Sequence, residues 1–205
     1  MYPHSQDAPE KASRPAAGAR PVAQAAVMAA VTAVLAQVAI PLPGTPVPVT
    51  LQVLGVLLTG LVLPPRQALV SMAVYVALGA VGLPVFAGGR GGWQSLVGPT
   101  GGYLWGFILA AGLVAALRGP GGIRDWLAAL AGVACIYLLG AVQLQAVTGW
   151  SWERVLVAGV LPFVPWDAVK GIIAAAAAPR LRRALGQAAA GAAGPAAPVP
   201  PPAAP

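Results

Sequence analysis

The sequence predicts an all-α integral membrane protein with six transmembrane helices. Of its 205 residues, 58% are hydrophobic and only 8% are charged, which is typical of polytopic helical membrane proteins. The apolar residues form long continuous runs, whereas a transmembrane β-barrel shows short alternating segments. Basic residues collect between and beyond these runs, as expected when charge sets the orientation of the spans in a bilayer.

Several classes of function are excluded by the same residues. The single Cys135 lies in an apolar run, which excludes an internal disulfide or a thiolate metal cluster. The single His4 lies in a polar tail, so no histidine remains for a metal site or a general base. No Ser/His/Asp set, zinc-protease motif or P-loop occurs, so we predict neither an enzyme nor an ATPase, and we expect no metal or cofactor. The net charge of +7 is explained by membrane topology and does not indicate a nucleic-acid partner.

The membrane domain is predicted to lie between two low-complexity tails. Residues 1–20 are polar and Pro/Ala-rich, and residues 186–205 are rich in Ala, Gly and Pro. Both tails are expected to be disordered, because neither can bury enough apolar surface to fold. The membrane domain is then 21–185, with spans at 21–40, 49–63, 67–81, 101–117, 125–148 and 166–185.

Small residues dominate the first span. Its length is close to the ~20 residues that a helix needs to cross a bilayer. They form two stripes, with Ala25, Ala29 and Ala33 on one and Ala26 and Ala30 on the other. Small residues at every fourth position let another helix approach closely. The stripe of Ala25, Ala29 and Ala33 therefore either packs inside the chain or docks a partner.

Prolines and glycines separate the spans that follow. Residues 41–48 hold four prolines and are expected to be extended, because proline fixes φ and lacks a backbone donor. Pro64 and Pro65 end the second span, and Arg118 with the glycines after it ends the fourth. The fifth span begins at Asp125, whose negative charge suits a helix N-terminus.

The last apolar region, 149–185, is too long for one crossing. Pro162 and Pro165 should break it, so we predict a short interfacial helix over 150–161 and a sixth span from Trp166.

A glycine-rich loop, 82–103, lies between the third and fourth spans. Its many glycines and prolines exclude a continuous helix. Irregular backbone near a membrane persists where it is packed in protein or lines a polar cavity, so the loop is either a ligand site or a plain external connection. Phe86, Trp93 and Tyr103 could form apolar walls or act as interfacial anchors.

The distribution of basic residues predicts the orientation. Nine of them fall on the side of the termini: Lys11, Arg14, Arg20, Arg66, Arg118, Arg124, Arg180, Arg182 and Arg183. Two, Arg90 and Arg154, fall on the other side. The positive-inside rule then makes both termini cytoplasmic and the glycine-rich loop external.

Asp167 and Lys170 are the charges that need a functional reason. They share one face at the start of the sixth span, where an ammonium group opposes the helix dipole. The two charges either only neutralise each other or form a polar site. In such a site the carboxylate would accept hydrogen bonds from N–H donors, and the ammonium would donate one to an oxygen. Arg90, among glycines, is suited to bidentate pairing with a ligand carboxylate, although it could also be a solvated loop residue.

Four segments together resemble the BioY family, the biotin-binding S components of energy-coupling factor transporters. They are Ile40–Gln52, Gly82–Gly89, Gly98–Tyr103 and Pro165–Lys170. The resemblance covers about residues 21–185. It implies a six-helix S-component bundle with an external pocket, in a bacterial cytoplasmic membrane. It also implies biotin capture outside, a membrane T component and two cytoplasmic ATPases as partners, and toppling of the S component to release its substrate.

The resemblance also implies residue roles. The Asp of the family's P-x-D-x-x-K motif binds the ureido end of biotin, which carries over to Asp167 with Lys170 as its neighbour. Leu104 stands where some members hold a basic residue, so Arg90 is our candidate for the ligand carboxylate. The alanines of the first span look like the motif by which S components dock on the T component.

Two other interpretations are left open by the residues. The chain could be an S component for another vitamin, which competition by riboflavin or thiamine would reveal. It could also be a membrane scaffold that binds no ligand, in which case Asp167 and Lys170 could be replaced together by apolar residues without loss of function.

Overall fold

The computed structural model describes residues 19–191, with side chains described as far as Gly186. This part of the chain contains eight α-helices, one short 3-10 helix (Ala87–Gly89) and one antiparallel strand pair. In chain order the elements are α1 (Ala19–Ala36), β1 (Ala39–Ile40), β2 (Val49–Thr50), α2 (Gln52–Val62), α3 (Pro65–Ala80), α4 (Gln94–Val97), α5 (Gly101–Leu117), α6 (Ile123–Thr148), α7 (Trp152–Gly159) and α8 (Val164–Gly191). Apart from Ala19, Arg20 and the helical residues up to Gly191, the predicted tails lie outside the described residues.

Six of the helices, α1, α2, α3, α5, α6 and α8, correspond to the six predicted spans. By length and composition, α1 and α6 can each cross a membrane, and α7 with α8 forms a third candidate bent by 47°. Helices α2 and α5 are apolar but shorter. At 1.5 Å per residue, the 11 residues of α2 extend only about 16 Å. The strand pair lies directly before α2 in the chain.

Helix α5 lies at the centre of the bundle and packs against α2, α3 and α6. Helix α8 packs on α2 and α6, and α1 packs on α2 and α3. Glycines permit the close approach: a Cβ on Gly132 would lie 2.4 Å from Cγ2 of Val114, and one on Gly60 would lie 2.7 Å from Cβ of Val114. The core is therefore built by bringing backbones together at small residues, as is common between membrane helices.

The proline-rich segment after α1 differs from the simple extended run that the sequence predicts. Helix α1 ends at Ala36, and Ala39 and Ile40 pair with Thr50 and Val49 across the prolines. The pairing satisfies backbone groups that the prolines leave without helical partners. The first span is thus a helix followed by a strand, and not a helix to Ile40.

The predicted break near Pro162 is present. Helix α7 ends at Gly159 and α8 begins at Val164, two residues before the predicted Trp166. Pro165 falls in the first turn of α8, where its missing N–H would have no intrahelical partner. At its other end α8 continues to Gly191 with Pro179 inside it, six residues beyond the predicted end at residue 185.

A buried ion pair fastens the far end of α8 to the turn between α5 and α6. Asp125 is fully buried, and its Oδ2 accepts from Nη2 of Arg182 at 2.5 Å. Its Oδ1 accepts from the Gly119 N–H at 2.7 Å, and Arg182 Nη1 donates to the Gly119 carbonyl at 2.8 Å. The neighbouring Arg118 donates through Nη1 to the Leu61 carbonyl at 2.6 Å. Burial is the main cause that lowers the pKa of Arg118, and the positive charge of Arg182 lowers it further. We call the Asp125, Arg182 and Gly119 group the clasp.

Basic side chains gather at this end of the bundle, where α1 begins, α2 and α5 end, and the clasp lies. The described residues there are Arg20, Arg66, Arg118, Arg124, Arg180, Arg182 and Arg183. The opposite end carries Arg90 and Arg154. We call the first the basic end and the second, where the cavity described next lies, the cavity end.

Candidate ligand-binding site

A cavity of about 370 Å³ opens at the cavity end of the bundle. Its walls come from the segment before α2, the glycine-rich loop, α5, α6 and the first turns of α8. The volume falls within the ~300–1,000 Å³ that small-molecule sites occupy. The loop, the proline-rich segment and the start of the last span thus meet at one place.

Asp167 and Lys170 form the polar centre of the cavity. Asp167 is 2% exposed and Lys170 is 7% exposed. Nζ of Lys170 donates to Oδ1 of Asp167 at 2.6 Å, and the Tyr137 hydroxyl donates to Oδ2 at 2.6 Å. The carboxylate is therefore held from both sides, by the next turn of its own helix and by α6.

The apolar walls are mainly aromatic and aliphatic. Phe86, Phe107, Phe163 and Ile136 all line the cavity and are buried. Phe86 is held edge-on to Tyr75, with 5.7 Å between ring centroids and 76° between ring planes. The Phe86 ring also fills the space above Gly79, where a Cβ would lie 2.0 Å from Cζ.

A second polar group enters the cavity from the start of α2. Gln52 is buried, lines the cavity and donates through Nε2 to the Tyr75 hydroxyl. The Tyr75 hydroxyl in turn donates to the Val85 carbonyl at 2.8 Å. This chain of hydrogen bonds joins α2, α3 and the start of the glycine-rich loop, so it fixes Phe86 relative to the cavity.

Arg90 lies at the rim, on a tight turn of the glycine-rich loop. Gly88 and Gly89 have φ values of +65° and +75°, which glycine adopts without strain. The turn is closed by the Phe86 N–H, which donates to the Arg90 carbonyl at 2.8 Å. The Arg90 side chain is exposed and donates through Nε to the Ala87 carbonyl at 3.2 Å. It has no acidic partner among the described residues, so most of its guanidinium can receive an anion.

Tyr103 and Trp93 occupy different positions. The Tyr103 ring lines the cavity, and its hydroxyl donates to the Gly159 carbonyl at 2.8 Å, which joins α5 to α7. Trp93 is 60% exposed and does not line the cavity. The cavity therefore brings together Asp167, Lys170, Arg90, Phe86 and Tyr103, and leaves Trp93 at the surface.

The polar residues that line the cavity and were not selected by the sequence analysis include Thr50, Gln94, Ser95 and Thr100. Tyr137 and Gln52 were not selected either, and their side chains hydrogen-bond to side chains of other helices. Each stands in or beside an apolar run, and its importance depends on a partner in another helix. Gln52 ends one of the four family segments, which was the available signal for it.

Chemically, the cavity suits a small, mostly apolar ligand with a polar head that both donates and accepts hydrogen bonds. The carboxylate of Asp167 accepts hydrogen bonds, the ammonium of Lys170 donates them, and aromatic and aliphatic side chains make up much of the rest of the wall. No group of three or more metal-ligating side chains occurs in the described part of the chain.

Comparison with known proteins places the chain among transporters. The model of the BioY family matches residues 8–187. The probable biotin transporter BioY of Pyrococcus horikoshii is 42% identical over 164 residues, which cover 80% of this chain and 97% of that protein. The biotin transporter BioY of Thermotoga maritima is also 42% identical, over 80% of this chain and 96% of its own.

A solved structure has the same fold. The crystal structure of the S-component for biotin from an ECF-type ABC transporter matches with a TM-score of 0.73 and 28% sequence identity. The match covers 80% of this chain and 91% of that chain. It confirms the predicted all-α, S-component-like membrane bundle. The relatives are transporters, which agrees with the prediction that the chain is not an enzyme.

Proposed function

Since this chain belongs to the BioY family, we propose that it binds biotin in the Asp167 cavity and delivers it across the membrane as an S component. The observation that carries the proposal is the buried Asp167–Lys170 pair beside the aromatic wall of the cavity. Biotin has a ureido group with two N–H donors and one carbonyl, fused to an apolar sulfur-containing ring with a carboxylate on a flexible chain. Its polar head needs an acceptor and a donor side by side.

The pair can meet both requirements. An ionised carboxylate has about four acceptor sites and an ammonium has three donors, so the contacts within the site leave capacity on each. We infer that Asp167 accepts a ureido N–H and Lys170 donates to the ureido oxygen. The Tyr137 hydroxyl holds the carboxylate in place from α6.

The rest of biotin would lie along the aromatic wall. Its ring and chain carbons would contact Phe86, Phe107 and Phe163, whose rings border the cavity. The chain would then run to the rim, where Arg90 offers a planar fork of donors to the carboxylate. Thiamine has no carbonyl to accept from Lys170, whereas riboflavin has both an N–H and a carbonyl, so competition by riboflavin is the stricter test of a preference for biotin.

The test is equilibrium binding of labelled biotin to the purified chain. Asp167→Asn keeps the shape but puts a neutral amide opposite Lys170, and a charged hydrogen bond is worth about 1.5–3 kcal/mol. We expect affinity to fall about 10- to 100-fold. Glu153→Gln is the matched control, because Glu153 is exposed on α7 and does not line the cavity. Wild-type affinity in Asp167→Asn would contradict the assignment.

Arg90 is tested separately with a ligand that lacks the carboxylate charge. Arg90→Ala should weaken biotin by about tenfold, the value of one charge-assisted contact, and leave biotin amide unaffected. Arg154→Ala is the control, since that guanidinium stacks 4.1 Å from the Trp150 ring centroid, away from the cavity. Equal losses for both ligands would show that Arg90 shapes the loop without reading the carboxylate.

For transport, we propose a membrane T component and two cytoplasmic ATPases as partners, docked on the outward face of α1. Ala25 and Ala29 do not offer that face, because they are 4% and 3% exposed and lie inside the bundle. Ser71 donates to the Ala25 carbonyl at 2.7 Å, so this stripe packs against α3. Ala33, also proposed from the sequence as a docking residue, is half-buried.

The exposed small residues of α1 are on the adjoining stripe, at Ala26 and Ala30. We therefore place docking there. Ala26→Leu with Ala30→Leu should prevent co-purification with a co-expressed T component and ATPases while biotin binding stays intact. Ala73→Leu with Ala77→Leu is the matched control, as both alanines are exposed at the same spacing on α3. Unchanged co-purification of the α1 variant would place docking elsewhere.

We also propose that the protein lies in a bacterial cytoplasmic membrane with both termini and the basic end inside the cell. Seven arginines at the basic end, against two arginines and the buried Lys170 at the cavity end, support this orientation. The cavity would then face outward, where biotin is captured.

A further inference from the structure

We propose that the groove between α6 and α8 at the basic end binds an anionic phospholipid, with its acyl chain in the groove and its phosphate on Arg180 and Arg183. The groove has a volume of about 470 Å³ and is lined by Ile123 and Trp126 of α6 and by Ile172, Ala176 and Pro179 of α8, among others. It is separate from the biotin cavity, and the inference does not depend on the proposed ligand.

The shape of the groove suits an alkyl chain. The side chains at its rims are exposed and branched: Ile123 is 67% exposed and Ile172 is 55% exposed. Below them Ala175 is buried, and the Trp126 ring lies against Gly171. A Cβ on Gly171 would be 3.5 Å from Cδ1 of Trp126, an ordinary contact distance.

Two arginines continue the groove side of α8 toward the basic end. Residues four apart share a helix face, so Arg180 follows Ala176, and Arg183 follows Pro179, by one turn on the groove side of α8. Nη1 of Arg180 lies 3.5 Å from the Ala176 carbonyl, so its guanidinium folds back to the level of the groove wall. Arg182, between them, points to the clasp instead.

Neither arginine is neutralised by the chain. Both are exposed and neither forms an ion pair with any described residue. Asp125 is the one acidic residue at the basic end in the described sequence, and both of its oxygens are already bonded within the clasp. The groove is therefore an apolar slot that ends in two uncompensated guanidinium groups.

An anionic phospholipid meets both features with one molecule. Guanidinium pairs bidentately with phosphate, and basic pockets between membrane helices bind anionic headgroups. A neutral helix would fill the slot but leave both guanidinium groups without an anion. A zwitterionic lipid brings an ammonium group with its phosphate, so it adds no net negative charge.

The proposal is tested with brominated lipids, which quench tryptophan fluorescence on contact. The full chain is reconstituted in phosphatidylcholine nanodiscs containing the same small mole fraction of either brominated phosphatidylglycerol or brominated phosphatidylcholine. We expect greater quenching by phosphatidylglycerol. Trp126→Phe should remove this excess, because Trp126 is the tryptophan that lines the groove.

Two independent variants then separate charge from shape. Arg180→Gln with Arg183→Gln should abolish the excess, with each arginine contributing about a fivefold preference for the anionic lipid. Ala176→Phe keeps both charges but fills the slot, and should also abolish it. Arg20→Gln with Arg66→Gln removes the same charge elsewhere at the basic end and should leave it intact. Thermal unfolding in detergent confirms that each variant is folded.

Three results would overturn the proposal. One is equal quenching by the two brominated lipids in the wild-type chain. Another is a wrong pattern among the variants: the excess survives either the double glutamine variant or Ala176→Phe, or it falls equally in the Arg20 and Arg66 control. The third is loss of the excess on adding inorganic phosphate at constant ionic strength, which would indicate a site for a soluble anion.

Discussion

Lys170 shows why a buried ion pair in a ligand site must be considered as a unit. It lies in the second turn of α8, where the helix dipole disfavours a positive charge. Its position is stabilised by Asp167, whose Oδ1 is 2.6 Å from Nζ. Removing one partner leaves the other buried with no counter-charge, which costs more than the pair contributes.

We predict that Lys170→Met destabilises the protein more than a double variant does. The single change leaves the Asp167 carboxylate with only the Tyr137 hydroxyl, and breaking a buried pair costs about 3–5 kcal/mol. Asp167→Asn with Lys170→Met should recover most of the lost thermal stability in detergent but bind no biotin. Biotin binding by the double variant would show that the pair does not contact the ligand, and a fully stable single variant would contradict the argument about the pair.

At the scale of residues, the sequence identifies charges but not their neighbours. Asp167 and Lys170 could be selected because ionisable groups are rare in a span and three residues apart on one helix. Tyr137 could not, since its contact with Asp167 joins positions 30 residues apart and depends on how α6 packs against α8. Trp93 shows a different limit of the sequence. It lies in the glycine-rich loop that lines the cavity, but it is 60% exposed and does not line the cavity itself.

Among the elements, α8 connects the two ends of the molecule. Its first turns carry Asp167 and Lys170 into the cavity, and Arg182 near its other end is fixed by the clasp. Between them Pro179 interrupts the hydrogen-bond ladder of the helix. The clasp therefore holds in place the part of α8 that the proline weakens.

We predict that Asp125→Ala lowers the free energy of unfolding by about 3 kcal/mol or more. The change leaves the Arg182 guanidinium without its carboxylate and the Gly119 N–H without an acceptor. The measurement is thermal unfolding in detergent. Arg183→Gln is the control, because Arg183 is exposed and has no ion pair in the described structure, so it should stay within about 0.5 kcal/mol of wild type. Similar stability in both variants would show that the clasp contributes little.

The limits of helix prediction here are set by tertiary contacts. The prolines correctly predict the helix breaks after the second span and near Pro162, because proline lacks a backbone N–H donor in any context. The two-residue strands at Ala39–Ile40 and Val49–Thr50 have no sequence period long enough to detect, and they shorten α1 at its end. The stripe of Ala25 and Ala29 predicted close packing correctly, but only the fold could show that the packing is internal.

The whole molecule is electrically polarised along the bundle. Seven described arginines lie at the basic end, while the cavity end carries Arg90 and Arg154. The candidate cavity and the proposed lipid groove lie at opposite ends of the bundle. Capture and anchoring would then use different ends of α8, so a change in one site need not disturb the other.

The orientation predicts which connections reagents can reach from outside the cell. In a Cys135→Ser background, Pro43→Cys and Pro120→Cys are a matched pair, because both prolines are exposed and lie outside the helices, one at each end. A membrane-impermeant maleimide should label position 43 in intact cells, and position 120 only after the membrane is permeabilised. Biotin binding by both variants would confirm that they are folded. The reverse labelling pattern would place the cavity inside the cell, and labelling of both in intact cells would show that the charge asymmetry does not fix a single orientation.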